Sequence, residues 1–224
     1  MGEYRYKYMS LNNIKRLFEI IYNHRIYAPN IDELNDIKEG SVRCSPSVKR
    51  RELMKKLMER TYIVSTTDKG EPFDGHMFAI YGNCHRGCCL KFTVTSKLHT
   101  DKNGKMPWIE GRVKYVNEIP KVEKEDSNTI AGILTSKSTQ WEDESEVRYI
   151  KTIESGNGKK RKRPYLYINL ARIYFGKKVS KEDVKIYTAF IEAFAKSKNK
   201  QIEVRQLTNK DIDFGFDAKE TVIR

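Results

Sequence analysis

The segment Trp141-Glu-Asp-Glu-Ser-Glu-Val-Arg-Tyr-Ile150 combines charged side chains with the alternation of a β-strand. Glu144, Glu146 and Arg148 stand two residues apart, and apolar residues follow them. Because successive side chains of a strand point to opposite faces, this spacing predicts three charged side chains on one face of a half-buried strand. Such a face indicates either a polar network or a functional site, in which Arg148 or a tyrosine hydroxyl contacts Glu146, the more buried carboxylate. The alternative is the solvated face of an antiparallel strand.

Outward from this segment, strand and helix patterns follow one another along the chain. Alternating tyrosines predict a first strand at 4–8, and apolar residues at helical spacing predict a helix over 14–21, capped by Asn12 or Asn13. Further strands are predicted at 25–28, 62–65, 88–94, 112–116, 146–153, 165–170, 172–175 and 201–207, and further helices at 46–60, 76–81, 129–134 and 184–194, the last opened by Ser180. Since neither a linker nor a repeat divides the chain, the pattern predicts one α+β domain over residues 1–224, with mostly antiparallel sheet flanked by helices.

The charge balance favours a polyanionic partner. The 224 residues include 43 Lys and Arg against 30 Asp and Glu, a formal net charge of +13. The densest basic run is Lys159, Lys160, Arg161, Lys162 and Arg163, between Gly158 and Pro164. This run predicts contact with nucleic-acid phosphates, and the alternative is a solvated hairpin loop.

Cysteine usage and hydropathy bear on metal, compartment and membrane. The cluster Cys84-His-Arg-Gly-Cys88-Cys89 offers thiolates for zinc, but no second ligand pair follows it, so we expect buried structural cysteines and no metal. Four cysteines in 224 residues fit a reducing compartment. No apolar run approaches the ~18 residues that span a bilayer, and the N-terminus lacks the layout of a signal peptide. These features predict a cytoplasmic protein without a membrane partner.

Several motifs, in this order, resemble a bacterial family known as domain of unknown function 2971. They are Tyr6-Lys-Tyr-Met-Ser-Leu11, Ile26-Tyr-Ala-Pro29, Leu34-Asn-Asp36, Met77-Phe-Ala-Ile-Tyr-Gly82 with His85, Gly87 and Phe92, Trp141 to Arg148, and Ile173-Tyr-Phe-Gly176. The match covers nearly the whole chain. Phe78 stands where that family usually has Trp, and Ile80 stands where it often has His.

The opening of that family is in turn similar to that of DNA-modifying ADP-ribosyltransferases and tRNA 2′-phosphotransferases. This resemblance implies an NAD-dependent ADP-ribosyltransferase-like toxin or phage-defence effector that acts on nucleic acid or a nucleic-acid-associated target. Glu146 would be the catalytic glutamate, assisted by Glu144 and kept ionised by Arg148, since a carboxylate can stabilise an oxocarbenium-like state. The implied NAD-binding residues are Tyr6, Lys7, Tyr8, Tyr27, Tyr81 and His85. Lys7 or Tyr6 stands where the resembling proteins have a His.

Structural roles remain open for most of these residues. Tyr27 could cover the edge of the core, Asn35 and Asp36 could form an Asx turn, and His85 could belong to a turn. The missing His and the charge of +13 also leave a second function open, a non-catalytic nucleic-acid-binding or sensor module.

Overall fold

A computed structural model of the protein describes residues 3–34, 41–46, 49–71, 73–96, 107–124, 127–153, 163–198 and 200–213. The α-helices in these ranges are α1 (Ile14–Asn23), α2 (Arg50–Arg60), α3 (Gly75–Ile80), α4 (Ser127–Leu134) and α5 (Lys181–Ser197). The strands are β1 (Arg5–Met9), β2 (Arg25–Tyr27), β3 (Arg43–Cys44), β4 (Thr61–Thr67), β5 (Phe73–Asp74), β6 (Cys88–Val94), β7 (Ile109–Arg112), β8 (Lys114–Val116), β9 (Lys121–Val122), β10 (Ser136–Ser138), β11 (Glu146–Thr152), β12 (Tyr165–Phe175), β13 (Glu203–Gln206) and β14 (Ile212–Asp213). Short 3₁₀ helices span Ile31–Glu33, Thr139–Glu144 and Asn209–Asp211. The predicted α+β class, with a large antiparallel sheet and flanking helices, is confirmed.

The chain divides into two compact units, each assembled from separate segments. The first unit collects residues 1–24, 68–94 and 169–224, and the second collects 25–67 and 95–168. Because the chain passes repeatedly from one unit to the other, neither unit is a continuous stretch of sequence. The single domain over 1–224 stays a prediction.

In the first unit, strands run in the order β13-β12-β6-β1. β1 pairs antiparallel with β6, from Arg5 opposite Phe92 to Met9 opposite Cys88. The alternating tyrosines of β1 point inward, because Tyr6 and Tyr8 are buried whereas Lys7 between them is half-buried. They join a core made of Phe73, Met77, Phe78, Cys89, Tyr174, Leu207 and Ile212. Helix α5 begins as predicted, since the Asp183 backbone N–H donates to the Ser180 hydroxyl over 3.0 Å.

In the second unit, β11 lies between β4 and β7 and pairs antiparallel with both. Glu146 lies opposite Thr67, and Arg148 lies opposite Ser65 on one side and Gly111 on the other. A strand flanked on both edges is buried along most of its length, and the first five residues of β11 are buried. The core of this unit comprises Ile31, Val42, Leu53, Leu57, Ile63, Val122, Ile133, Leu134 and Ile150.

Several predicted boundaries were wrong. The helix expected from Pro46 begins at Arg50, and the two strands expected at 165–170 and 172–175 form the single strand β12. The strand expected at 112–116 is divided at Val113, where the chain leaves β11 and β8 pairs in parallel with β10 instead. Asn13 occupies the position before α1, but its side chain makes no capping hydrogen bond.

Candidate functional site

The Arg148 guanidinium forms a bidentate fork with the Glu146 carboxylate, with one hydrogen bond to each oxygen. Arg148 Nε donates to Glu146 Oε1 over 2.8 Å, and Arg148 Nη2 donates to Oε2 over 3.0 Å. The third arm of the guanidinium, Nη1, donates to the Leu134 carbonyl over 2.8 Å. A spacing of two residues on one strand face makes the fork possible, and planar guanidinium geometry makes it selective for a carboxylate. The predicted contact between Arg148 and Glu146 is confirmed.

Lys137 joins the two glutamates into one cluster. Its Nζ donates to Glu144 Oε2 over 2.6 Å and to Glu146 Oε2 over 3.3 Å. We call Lys137, Glu144, Glu146 and Arg148 the buried charge cluster, because each is less than a tenth exposed. Its formal charge is zero. The alternative of a solvated face is therefore wrong for Glu146 and Arg148, and these side chains form part of a buried polar network.

Glu144 reaches this cluster by a route that the sequence pattern did not predict. It does not lie on the strand; it ends the 3₁₀ helix Thr139–Glu144, and Ser145 follows in the left-handed region at φ 45°. The chain turns at Ser145, and β11 then begins at Glu146. The expectation of three charges on one strand face is thus wrong for Glu144. The side chain of Glu146 is 4% exposed and that of Glu144 is 8% exposed, which confirms that Glu146 is the more buried.

Aromatic side chains border the buried charge cluster. The Tyr115 hydroxyl accepts a hydrogen bond from the Glu146 backbone N–H over 2.8 Å. The Trp141 ring lies 4.9 Å from the Lys137 ammonium, within the range of a cation–π contact. Because carboxylates contact the Lys137 ammonium on one side and the Trp141 ring lies on the other, this ammonium has little freedom to move. Trp141 therefore covers Lys137.

The electrostatics of the cluster keep Glu146 ionised. Burial by itself would raise the pKa of Glu146, but the Arg148 guanidinium and the Lys137 ammonium lower it to about 2. Burial also raises the pKa of the neighbouring Tyr115 to about 12. At neutral pH the site thus presents a carboxylate and a protonated phenol. Such a carboxylate can stabilise positive charge but cannot act as a general acid.

Access to this carboxylate is closed. Arg148 occupies both oxygens of Glu146, and Lys137 takes a second position on Oε2. A ribose hydroxyl would have to displace Lys137 before it could bind Glu146. As it stands, the buried charge cluster is a structural ion network, in which each buried charge is paired with an opposite one.

Two of the predicted cofactor residues, Tyr6 and Tyr8, are part of the core of the first unit. The Tyr8 ring lies 4.8 Å from the Phe78 ring in an edge-to-face contact, and the Tyr6 ring lies 6.1 Å from that of Phe73. Burial raises the pKa of Tyr8 well above its usual range. Packing thus accounts for both rings, and their contact with a cofactor, like that of Lys7, stays a prediction.

Tyr81 and His85 lie beside the same core, at the end of α3. Tyr81 packs against the core cluster, and the His85 ring stacks on Phe78 with centroids 5.7 Å apart. Asn83, Cys84 and His85 are all left-handed, with φ of 49°, 51° and 67°. Backbone N–H groups of Cys84 and His85 return to carbonyls of α3, as in an extended helix cap. The alternative of His85 as a turn residue describes this geometry; burial and then the nearby Lys178 and Lys177 lower its pKa.

The remaining predicted cofactor residue, Tyr27, belongs to the second unit. β2 pairs antiparallel with the start of β12, so that Tyr27 lies opposite Tyr165 and Arg25 lies opposite Tyr167. The Arg25 guanidinium lies 3.8 Å from the centre of the Tyr165 ring, and that of Arg163 lies 5.3 Å from the Tyr27 ring. We call these five residues the Tyr–Arg face. It is half-buried to exposed, with Tyr167 at 51%.

Glu33 fixes one corner of the Tyr–Arg face. The Tyr27 hydroxyl donates to Glu33 Oε2 over 3.2 Å, and Arg163 Nη1 donates to both carboxylate oxygens over 2.7 and 2.8 Å. Glu33 in turn accepts a hydrogen bond from the Asn30 backbone N–H over 2.8 Å. The last residue of the predicted basic run is therefore anchored beside Tyr27. Lys159, Lys160, Arg161 and Lys162, like Asn35 and Asp36, lie outside the described residues.

The cysteines are free thiols with different exposures. Cys88 and Cys89 are buried, as predicted, and burial raises the pKa of both. Cys84 is exposed, so the prediction of buried structural cysteines is wrong for this residue, because the left-handed turn carries it to the surface. Within the described ranges, no three His, Cys, Asp or Glu residues come together as metal ligands.

Lys137 and three members of the Tyr–Arg face were missed by the sequence reasoning. Lys137 stands alone between two serines, with no signal that its ammonium meets both glutamates. Tyr165 and Tyr167 do carry a signal, since they alternate with Leu166 and Ile168 and directly follow the basic run. Arg25 could be added only with knowledge of the strand pairing.

Comparisons with known proteins return no match to the chain, among protein-family models, curated proteins or solved structures. The resemblance to domain of unknown function 2971, and the reaction it implies, stay predictions. In the part of the chain that the structure describes, no helix combines the length and apolar character required to cross a membrane.

Proposed function

We propose that the protein is a nucleic-acid-binding module whose charged core has a structural role. The observation that carries this proposal is the Tyr–Arg face, where two arginines lie against two tyrosines at a half-exposed to exposed surface. Arginine and tyrosine are side chains that nucleic-acid-binding proteins use on phosphates and bases. The formal charge of +13 supports the same partner, because a polyanion releases counterions when it meets such a protein.

The state of Glu146 supports a structural role for the buried charge cluster. Its two oxygens already accept three hydrogen bonds from Arg148 and Lys137. A binding module needs no free carboxylate, whereas a glycosyl-transferring enzyme does. The four free thiols suit a reducing compartment, and we expect the protein in the cytoplasm.

The dependence of nucleic-acid affinity on salt tests this proposal. On duplex DNA, log affinity should fall against log salt with a slope of about −0.9 for each phosphate contacted. Changing Lys159, Lys160, Arg161, Lys162 and Arg163 to Gln should flatten that slope by up to about 4.5. The matched control changes five exposed lysines of the first unit to Gln, namely Lys15, Lys181, Lys185, Lys196 and Lys200. Affinity that ignores salt, or an equal effect of both sets, would contradict binding through the basic run.

We keep an NAD-dependent ADP-ribosyltransferase as a second candidate, on the strength of one observation. The fork from Arg148 and the ammonium of Lys137 hold the pKa of Glu146, against the effect of burial, at about 2, which is the ionised state that an oxocarbenium-like transition state requires. Glu146, Glu144 and Arg148 would then act at the reacting ribose, and the predicted tyrosines, Lys7 and His85 would hold NAD.

Transfer of label from NAD to DNA, RNA or cell extract tests the second candidate. Glu146→Gln should abolish transfer while circular dichroism shows a folded protein, and Glu142→Gln should leave transfer unchanged. Glu142 is a suitable control because it is an exposed glutamate of the same 3₁₀ helix that carries Glu144. A wild-type protein that neither binds NAD nor transfers label would eliminate this candidate.

A further inference from the structure

The strand pairing of β2 with β12 fixes which side chains form the Tyr–Arg face. Leu166 and Ile26 lie opposite each other and are fully buried, so their neighbours on both strands point to the other side. Those neighbours are Tyr27, which lies opposite Tyr165, and Arg25, which lies opposite Tyr167. A paired ribbon therefore displays three rings and a guanidinium on one surface.

Contacts within the protein hold two of the three rings, Tyr27 and Tyr165, before any ligand binds. The Tyr27 and Tyr165 rings meet edge to face with centroids 6.3 Å apart, and the Arg25 guanidinium covers Tyr165. The Tyr167 backbone is also fixed, because its N–H donates to the Ser96 hydroxyl over 2.7 Å and its carbonyl accepts from Thr95. Side chains already ordered lose little entropy on binding, which favours affinity.

Planar, exposed groups of this kind select the faces of bases rather than their edges. In a duplex the base faces are stacked on one another, and only edges and phosphates are accessible. In a single strand, bases splay out and stack on aromatic rings or on guanidinium planes. Tyr167, half of whose surface is exposed, offers such a ring at the strand position opposite Arg25.

We propose that the Tyr–Arg face is a stacking surface for the unpaired bases of single-stranded nucleic acid. This inference rests on the proposed nucleic-acid-binding function and adds the class of ligand and the residues that read it. Tyr167 stacks on one base. The Arg25 guanidinium, which lies on the Tyr165 ring, stacks on a second base or lies beside it. Arg163, which pairs with Glu33, binds a phosphate.

The test measures fluorescence anisotropy with three probes of about 12 nucleotides, a length within the site sizes of single-strand binders. The probes are oligo-dT, oligo-rU and a DNA duplex. Wild-type protein should prefer both single strands to the duplex. Tyr167→Ala should weaken single-strand binding about fivefold to 100-fold with an unchanged salt slope, because it removes stacking and no charge. Tyr167→Phe keeps the ring and should keep the affinity.

Tyr22→Ala is the matched control, because Tyr22 is an exposed tyrosine of the first unit with a lysine, Lys198, 5.6 Å from its ring. It should bind like wild type. Equal affinity for duplex and single strands, or a Tyr167→Ala variant that binds like the control, would overturn the stacking surface while leaving nucleic-acid binding intact. Absence of binding to all three probes would instead remove the proposed function itself.

Discussion

Replacement of Arg148 by Ala should destabilise the protein strongly, because it would leave Glu146 ionised and buried without its main cationic partner. The variant loses two hydrogen bonds to Glu146 and one to the Leu134 carbonyl, and that carboxylate keeps the Lys137 ammonium at 3.3 Å and the Ser65 side chain. Breaking a buried ion pair by removing one member costs about 3–5 kcal/mol. We expect a loss of this size in the free energy of unfolding.

The proton affinity of Glu146 gives an independent value of the same order. Its pKa falls from 4.5 to about 2 on folding, and each tenfold change in proton affinity corresponds to about 1.4 kcal/mol. Ionised Glu146 thus contributes about 3 kcal/mol at neutral pH. Since the folded pKa is the lower one, this stability is present above about pH 5 and is lost as the pH falls towards 2.

Urea unfolding followed by circular dichroism measures both effects. With a slope of about 2 kcal/mol per molar urea, the midpoint of Arg148→Ala should fall by roughly 2 M. Arg148→Lys keeps the charge but not the fork and should cost about 2 kcal/mol. The double variant Arg148→Met with Glu146→Gln should recover much of the loss, because it removes both charges together. Arg86 is an exposed arginine, so Arg86→Ala should change the free energy of unfolding by less than about 0.5 kcal/mol.

The reasoning is refuted if Arg148→Ala lowers the free energy of unfolding by less than about 1 kcal/mol, since removal of one member of a buried ion pair costs more than that. It is also refuted if the double variant is as unstable as the single one. That result would assign the effect to lost packing of the arginine side chain rather than to charge. A Glu146→Gln variant with the same acid unfolding as wild type would show that another carboxylate controls stability at low pH.

Three further predictions concern other parts of the structure. Ser180→Ala removes the cap of α5 and should cost about 1 kcal/mol in thermal or urea unfolding, whereas Ser180→Asp should not. Gly176→Ala should destabilise the protein by several times that amount, because its Cβ would collide with the backbone carbonyl oxygen of His85; unchanged stability would contradict this close approach. Cys84 should react with a thiol reagent in the native protein, whereas Cys88 and Cys89 should react only after unfolding, as mass spectrometry of labelled peptides can verify.

The sequence predicts this structure well where a pattern is local. The pairing of Glu146 with Arg148 follows from a spacing of two on one strand, and the cap at Ser180 follows from a spacing of three. The first strand, β1, likewise follows from the alternation of Tyr4, Tyr6 and Tyr8. Each of these features depends on neighbours within one element.

Features that depend on distant segments could not be predicted in the same way. Lys137 meets Glu146 only because the 3₁₀ helix and the left-handed Ser145 bring β10 back to the start of β11. The Tyr–Arg face needs the register of β2 with β12, which joins residues far apart in the chain. Alternation identifies which side chains share a face, but it does not identify the partner strand.

Arg148 differs from Arg25 and Arg163 in what must happen before a ligand can reach it. Arg148 is buried with Glu146, so a nucleotide can use that carboxylate only after Lys137 has left both glutamates. Any affinity for such a nucleotide is multiplied by the fraction of molecules in which the cluster is open, a reduction of about 30-fold if opening costs about 2 kcal/mol. Arg25 and Arg163 lie on rings at the surface and require no such opening. The contact that we propose between these arginines and nucleic acid therefore needs no rearrangement, whereas catalysis at Glu146 would require a second arrangement of the same four charges.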